Sequence, residues 1–480
     1  MFIWRYGSNA MRILMRLQVV LVTVLLAGTV HAGLPAPVAA AFKRAGIAPA
    51  GIGIEVVDIA SGRNVLSVNP ELALNPASTM KLLTTNAALE LLGPTYTFTT
   101  QAYTRGIRQG DLLRGDLILR GSGDPKLVIE NFWLFLRKIR AQGVRDIRGN
   151  LVLDRSAFDE TVVDPALFDG DPLKAYNVGP DALLLNYRAL AVSFTPDRAQ
   201  GLVQVRLDPA LSGYPIRPPQ LTSGECIGDW RVPINATLDA SGASFDGPYA
   251  AGCGEKSWQI HPYQLSRNRY LELVFRQLWT ELGGTFDGSV VDGLVTPDAV
   301  ALAQWESPPM PELIRDVNKF SNNVMARQLF LTLGSTVQLQ PASIAASRSA
   351  IAGWLAARQI DATGLVLENG AGLSRLERIS PRTLGALLVA AFRAPTMPEF
   401  ISSLPLVGYD GTMRKRLRFE GVSGHAHIKT GSLQAVRSIA GYVQAASGKQ
   451  FAVVCLINDP NAARGGEAQD ALLQWIFENK

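Results

Sequence analysis

Apolar and polar positions recur along this chain in two rhythms, and their order predicts three blocks. Ile52 to Ile59 and Val65 to Val68 are β-rich runs either side of a Ser61-Gly62-Arg63 turn, which reads as a pair of strands. Met80 to Leu92 is a helix-type run rich in Ala and Leu, halted by Gly93-Pro94. From about Tyr96 to Pro262 the period shortens, with brief alternating runs between Gly, Pro and Asp turns; Asp116 to Arg120, Asn150 to Asp154 and Leu202 to Leu207 are examples. One amphipathic helix is expected there, over Ile129 to Ala141, with Phe132, Trp133, Phe135, Leu136 and Ile139 apolar. Helical period returns at Arg267 to Leu282, where Leu271, Val274, Phe275, Leu278 and Leu282 mark one face. Met310 to Val317, Val324 to Leu333, Ser343 to Arg358, Pro381 to Phe392 and Glu467 to Phe477 read as further helices. Ala426 to Lys429, Ser438 to Gln444 and Phe451 to Ile457 read as antiparallel strands.

This order predicts an α+β fold in which a helical cluster lies on an antiparallel sheet of about five strands, a common sheet size. Residues 33–95 supply two strands and a helix of this main domain, and residues 266–480 supply the rest. Residues 96–265 form a mostly β insertion between the two parts.

The first 32 residues read as an export signal. Arg5, Arg12 and Arg16 precede an apolar run from Leu17 to Val30, and Val30-His31-Ala32 offers a small-residue cleavage site before Gly33. The run is short of the roughly 20 residues that a membrane span needs. Its removal lowers the net charge from +5 to +2, because it carries three arginines and no acids. No dense Lys/Arg stripe is left to bind nucleic acid, and membrane contact is expected to be peripheral at most. The protein is therefore expected in the periplasm, where a disulfide is permitted. Cys226 and Cys253 lie in loop-like, Gly-containing sequence and are expected to pair; Cys455 sits in the apolar run Phe451–Ile457 and is expected to stay a buried thiol.

Three short motifs carry the chemistry. Ser78-Thr79-Met80-Lys81 puts a hydroxyl and an amine three residues apart at a predicted helix start, and positions i and i+3 share a helix face. A serine is a poor nucleophile until a base takes its proton. Lys81 can be that base only if burial or a second cation depresses its pKa, and Lys429 would supply that cation. The helix start also gives Ser78 free backbone N–H groups for an oxyanion. Ser321-Asn322-Asn323 offers a hydroxyl, Ser321, to relay the proton to the leaving amine, and an amide, Asn323, to orient Lys81 and the substrate. Lys429-Thr430-Gly431 on a strand offers Lys429 and Thr430 to bind a terminal carboxylate, and the N–H of Ser432 as second oxyanion donor.

Each motif alone has a structural explanation: a helix residue pair, an N-cap and a strand ending in a turn. Their order and predicted setting favour a serine acyl-transfer enzyme. A Ser-His-Asp arrangement through His427 is the alternative base, two residues from Lys429 on the same strand. No H-E-x-x-H or Cys/His cluster at zinc spacing occurs, so no metal and no cofactor is expected.

On these motifs the chain resembles the class C low-molecular-mass penicillin-binding proteins, the D-alanyl-D-alanine carboxypeptidases/endopeptidases. The resemblance rests on Asn75-Pro-Ala-Ser-Thr-Met-Lys-Leu-Leu-Thr-Thr85, Gly115-Asp-Leu-Ile-Leu-Arg-Gly-Ser-Gly-Asp-Pro125, Lys319-Phe-Ser-Asn-Asn323, Asn369-Gly-Ala-Gly-Leu-Ser374 and His427-Ile-Lys-Thr-Gly-Ser432. It implies a penicillin-binding-protein/β-lactamase-like main domain and a metal-free hydrolase of peptidoglycan stem peptides. Such an enzyme forms an acyl-enzyme on Ser78 and takes β-lactams as covalent inhibitors. The long insertion is itself a mark of this class. Two departures stand out: Asn322 replaces a frequent Asp, and Glu368-Asn369-Gly-Ala-Gly372 replaces a more usual Asp-Gly-Ser-Gly run. The competing functions are a β-lactamase or esterase on the same scaffold, which would turn penicillin over rapidly, and a non-catalytic cell-wall binding protein.

Overall fold

A computed structural model describes residues 33–159, 163–337 and 341–480. The expected export signal at 1–32 lies outside the described residues. The five predicted main-domain strands form one antiparallel sheet, in the order Ala426–Leu433, Val436–Gln444, Gln450–Asn458, Ile52–Asp58, Asn64–Val68. Its central strands are largely apolar rather than alternating, because both faces are covered, with Glu55 and Ser438 as buried polar exceptions. Ile54, Val453, Cys455 and Ile439 point to one core, closed by the helices Ala36–Ala45 and Gly466–Asn479. Val57, Ala440, Val454 and Leu456 point to the other, closed by a cluster that includes the helices Lys81–Leu91, Met310–Lys319, Asn323–Leu333 and Pro381–Arg393. Burying each such side chain contributes about 1.5–3 kcal/mol. The helix Ala36–Ala45 was not expected, although Val38, Ala41, Phe42 and Ala45 keep helical spacing and are buried.

The insertion has its own core. Thr99–Gln109 and Leu112–Gly121 form a long hairpin, against which the helix Ile129–Ala141 packs, with Phe132, Phe135, Leu136 and Ile139 buried as predicted. A smaller β region follows, where Phe194, Trp230, Phe245 and Tyr249 pack around one another near the Cys226–Cys253 disulfide. Cys455 is a buried free thiol, as expected.

One boundary moves. The helix Arg267–Glu281 buries Leu271, Val274, Phe275 and Trp279 in the insertion's core, not in the main domain. The strands Thr285–Phe286, Val290–Asp292 and Val300–Glu306 pair with the strands of residues 99–154. The chain leaves and re-enters the main domain at one point, where Phe98 N donates to Ser307 Oγ and Ser307 N donates to Phe98 O, both at 2.9 Å. We therefore propose that the inserted unit spans about 99–306 rather than 96–265. From Leu34 onward the described chain is nonetheless one compact unit.

Two adjacent side chains of the Asn323–Leu333 helix hold the insertion. Gln328 donates to the carbonyls of Asp181 (2.8 Å) and Gly123 (3.2 Å) and accepts from Asp181 N at 2.9 Å. Arg327 donates to the carbonyls of Val178 (2.8 Å) and Asn177 (3.2 Å). The Gly121-Ser-Gly-Asp124-Pro turn is thus part of this docking surface. Among the described residues no helix is long and apolar enough to cross a membrane.

Candidate active site

Ser78 lies in a 3₁₀ turn, Ala77–Met80, that runs directly into the helix beginning at Lys81. In a 3₁₀ turn residues i and i+3 eclipse, so Ser78 Oγ and Lys81 Nζ are brought to 3.0 Å. The turn is built under strain: Ala77 holds a φ of 46°, a left-handed conformation unusual for a residue with a Cβ. Asn75 stabilises it from both sides. Its Oδ1 accepts from Ala77 N (2.9 Å), and its own N–H and carbonyl pair with the Asn458 amide (2.8 and 2.9 Å).

Lys81 is fully buried. Its amine also meets Asn323 Oδ1 at 2.5 Å and the carbonyl of Ala371. A neutral amine has two N–H donors and one lone pair. Both carbonyl oxygens can only accept, so they take the two donors and leave the lone pair facing the Ser78 hydroxyl. Burial first, then the Lys429 charge, pushes the Lys81 amine well below the usual lysine range. That is the protonation state a base at Ser78 requires.

Lys429 is equally buried, and its amine donates to Ser321 Oγ and to the Thr430 carbonyl, both at 2.8 Å. Burial brings it down to about 7. Ser321, like Ala77, has a positive φ, 57°. Asn322 caps the following helix by accepting from Met325 N at 3.0 Å, which accounts for a short amide at this position. Thr430 Oγ1 donates to Thr412 Oγ1 at 2.7 Å.

The Ala426–Leu433 strand is the sheet edge. Ala426 O accepts from Val407 N, and Ile428 N donates to Pro405 O, both on the outer side. With a period of two and an unbroken register to the neighbouring strand, the N–H groups of Thr430 and Ser432 face that same open edge. Gly431 permits close approach: a Cβ there would sit 2.8 Å from both Ser78 N and Pro76 O. The structure thus brings Ser78, Lys81, Ser321, Asn323, Lys429, Thr430, Gly431 and Ser432 into one cleft wall.

His427 plays a different part from the triad alternative. Its ring is half-buried, with Nδ1 lacking a hydrogen-bond partner, and burial pushes it below the usual histidine range. Among the described residues it is Lys81, not a histidine, that reaches Ser78. No group of three His, Cys, Asp or Glu side chains among the described residues could hold a metal ion.

The loop 368–377 also belongs to the site. Gly370 O accepts from Thr84 Oγ1 at 2.6 Å, and Ser374 O accepts from Asn75 Nδ2 at 2.8 Å. Gly372, with a φ of 75°, runs so close to the Ser78 turn that a Cβ would overlap Ala77 O. Beside this loop opens a cavity of about 390 Å³, lined by Phe168, Arg327, Phe330 and Leu376 among others. The Arg375 guanidinium lies 4.9 Å from the Phe168 ring centroid.

Residues 35–478 match the model of the family described as D-Ala-D-Ala carboxypeptidase 3 (S13). The chain is 30% identical over 430 residues to a D-alanyl-D-alanine carboxypeptidase of Actinomadura sp. (strain R39), covering 84% of this chain and 77% of that one. It is 27% identical over 416 residues to the D-alanyl-D-alanine carboxypeptidase DacB of Haemophilus influenzae, covering 85% of each. Its fold matches a crystal structure of penicillin binding protein 4 (dacB) from Haemophilus influenzae with a TM-score of 0.76 and 23% identity, covering 91% of this chain and 99% of that one. The same H. influenzae protein has also been solved with a β-lactam bound. The expected split α+β architecture is thereby the fold of this chain.

Proposed function

The chain belongs to the D-Ala-D-Ala carboxypeptidase 3 (S13) family, and from that membership we propose how its cleft performs the reaction. The protein is a serine DD-peptidase acting on peptidoglycan stem peptides. Neutral Lys81 takes the Ser78 proton as Oγ attacks the penultimate D-Ala carbonyl. The N–H groups of Ser78 and Ser432 receive the oxyanion, and Ser321 passes a proton to the departing amine. Asn323 orients Lys81 and the peptide amide. Lys429 and Thr430 hold the terminal carboxylate of a carboxypeptidase substrate; in a cross-linked substrate the leaving group is the diaminopimelate amine. Water then releases the acyl group from Ser78. β-Lactams acylate the same oxygen, and the residue 1–32 leader exports the enzyme to the periplasm.

The observation that carries this reading is the buried Lys81 amine 3.0 Å from Ser78 Oγ, with both of its N–H donors engaged elsewhere. The test is intact-protein mass spectrometry after brief exposure to benzylpenicillin, beside Ser78→Ala. One adduct on the wild type alone, together with D-Ala release from muropeptides, is the expected result. Penicillin hydrolysis without an adduct would point to a β-lactamase. Neither adduct nor hydrolysis would point to a binding protein.

A further inference from the structure

Glu377 is a fully buried carboxylate in the loop whose Ala371 carbonyl meets Lys81. Its Oε1 accepts from three consecutive backbone N–H groups: Glu368 (3.1 Å), Asn369 (2.9 Å) and Gly370 (2.9 Å). Its Oε2 is buried without a hydrogen-bond partner. Three successive N–H groups converging on one oxygen form an anion-binding nest, here filled from within the same loop. The loop is closed behind it by the Val366–Arg378 bridge, with backbone bonds of 2.9 and 3.1 Å. The next residue after the nest, Ala371, presents the carbonyl that takes one N–H of Lys81.

We infer that Glu377 is a positioning residue for acylation: it clamps the turn whose Ala371 carbonyl orients the Lys81 amine, and its carboxylate balances the cations around that amine. The inference rests on the proposed role of Lys81. Two charged side chains other than Glu377 bear on Lys81: Lys429 from the edge strand and Arg327 from the Asn323–Leu333 helix. Glu368, from the loop itself, acts on Arg327. Among the groups acting on Lys81, Glu377 alone favours its charged form; burial, Lys429 and Arg327 all oppose it. Burial raises the Glu377 carboxyl, while the three N–H bonds and Lys81 act in the other direction. The orientation argument stands on the hydrogen bonds alone. The charge argument adds a sign: removing the anion makes the Lys81 amine easier to deprotonate.

The test compares Glu377→Gln and Glu377→Asp with the wild type, by the rate of Ser78 acylation with benzylpenicillin across pH, with thermal midpoints measured alongside. E377Q keeps the shape and loses the charge, so the acidic limb is expected to move to lower pH. E377D keeps the charge and loses the reach, so the limb stays and the plateau falls roughly 10- to 100-fold. An E377Q limb superimposable on the wild type would overturn the charge role, and an E377D plateau equal to the wild type would overturn the clamp. If E377Q does not fold, the E377D plateau decides. A wild type that is not acylated at any pH would defeat the proposed reaction instead, so the two failures are distinguishable.

Discussion

Lys429 Nζ donates to Ser321 Oγ at 2.8 Å, which joins the last motif of the chain to the middle one across 108 residues. The first motif is joined to the middle one in the same way, by Lys81 to Asn323. Ser321 and Asn323 therefore each take one of the two buried amines, and the spacing S-x-N is what separates them. Neither lysine has a carboxylate in hydrogen-bond contact, so both amines are held by neutral oxygens and depressed by burial.

This arrangement predicts a pH dependence with a definite sign. Lys429 must be charged to hold a terminal carboxylate, and burial leaves it at about 7. For substrates with a free terminal carboxylate, kcat/KM should fall as pH rises through about 7, because kcat/KM reports the free enzyme. An amide-capped peptide should lack that alkaline limb. Lys429→Ala should remove it and cost the carboxylate substrate roughly 10- to 100-fold, the worth of a charge-assisted hydrogen bond. The same substitution removes a cation beside Lys81, so the acidic limb should move to higher pH. Profiles for the two substrates with both enzymes check these statements; equal losses on carboxylate and amide peptides would refute the binding role.

Gly431 is required for a steric reason. A Cβ there would lie 2.3 Å from Ser438 Oγ and 2.8 Å from Pro76 O and Ser78 N. Ser438 is itself fixed by donating to Pro76 O at 2.6 Å, so the neighbours cannot withdraw without moving the nucleophile turn. Gly431→Ala should push the edge strand away from Ser78. The acylation rate by benzylpenicillin should fall about 10²-fold, with a stability loss of about 1–3 kcal/mol. Stopped-flow acylation and a denaturant titration separate the two effects. A wild-type rate would show that the edge strand does not need this close approach.

The parts of this protein that were legible in sequence are those whose chemistry is local. Ser78 and Lys81 meet because they are three residues apart at a helix start, and the central sheet strands stand out because burial on both faces makes them largely apolar. What could not be read is what depends on distant pairing. Nothing in Arg267–Glu281 says which core its apolar face joins, so a boundary read from periodicity alone falls ahead of this helix, short of the one proposed here. Glu377 looks like a surface acid between Leu376 and Arg378; only the folded loop turns three N–H groups onto it. The Asn75–Asn458 pair spans almost the whole chain.

Gln328 is another residue of that kind, and it makes a prediction about the insertion. Its fully buried amide satisfies three backbone groups, at Gly123 O, Asp181 O and Asp181 N. Gln328→Ala would leave them buried and unpaired, at a cost of about 1–3 kcal/mol. The insertion should loosen from the helix that carries Asn323. Limited proteolysis should then cut faster near residues 123–181, and acylation should slow. Unchanged proteolysis and thermal midpoint would mean that Arg327 and the other contacts, among them Lys126–Asp316 and the Ala157–Ala342 backbone bond, suffice for docking.

The cysteines offer a separation between the insertion and the catalytic cleft. Cys226 and Cys253 are bonded within the small β region and close a loop of 27 residues in sequence. A cross-link of that loop length contributes about 3 kcal/mol, chiefly by restricting the unfolded chain. Cys455 lies in the central strand Gln450–Asn458, and burial pushes its thiol up to about 12. A thiol that is both buried and protonated does not react as a nucleophile. Iodoacetamide should therefore leave the native, non-reduced protein unlabelled and should label Cys455 alone once the chain is denatured. Non-reducing peptide mapping should recover a 226–253 link; a link from either to 455 would overturn the assignment. The double variant Cys226→Ala/Cys253→Ala should unfold at lower temperature in the oxidised state yet be acylated by benzylpenicillin at close to the wild-type rate. A large loss of acylation in a variant that is still folded would show that the small β region bears on the cleft through contacts beyond Arg327 and Gln328.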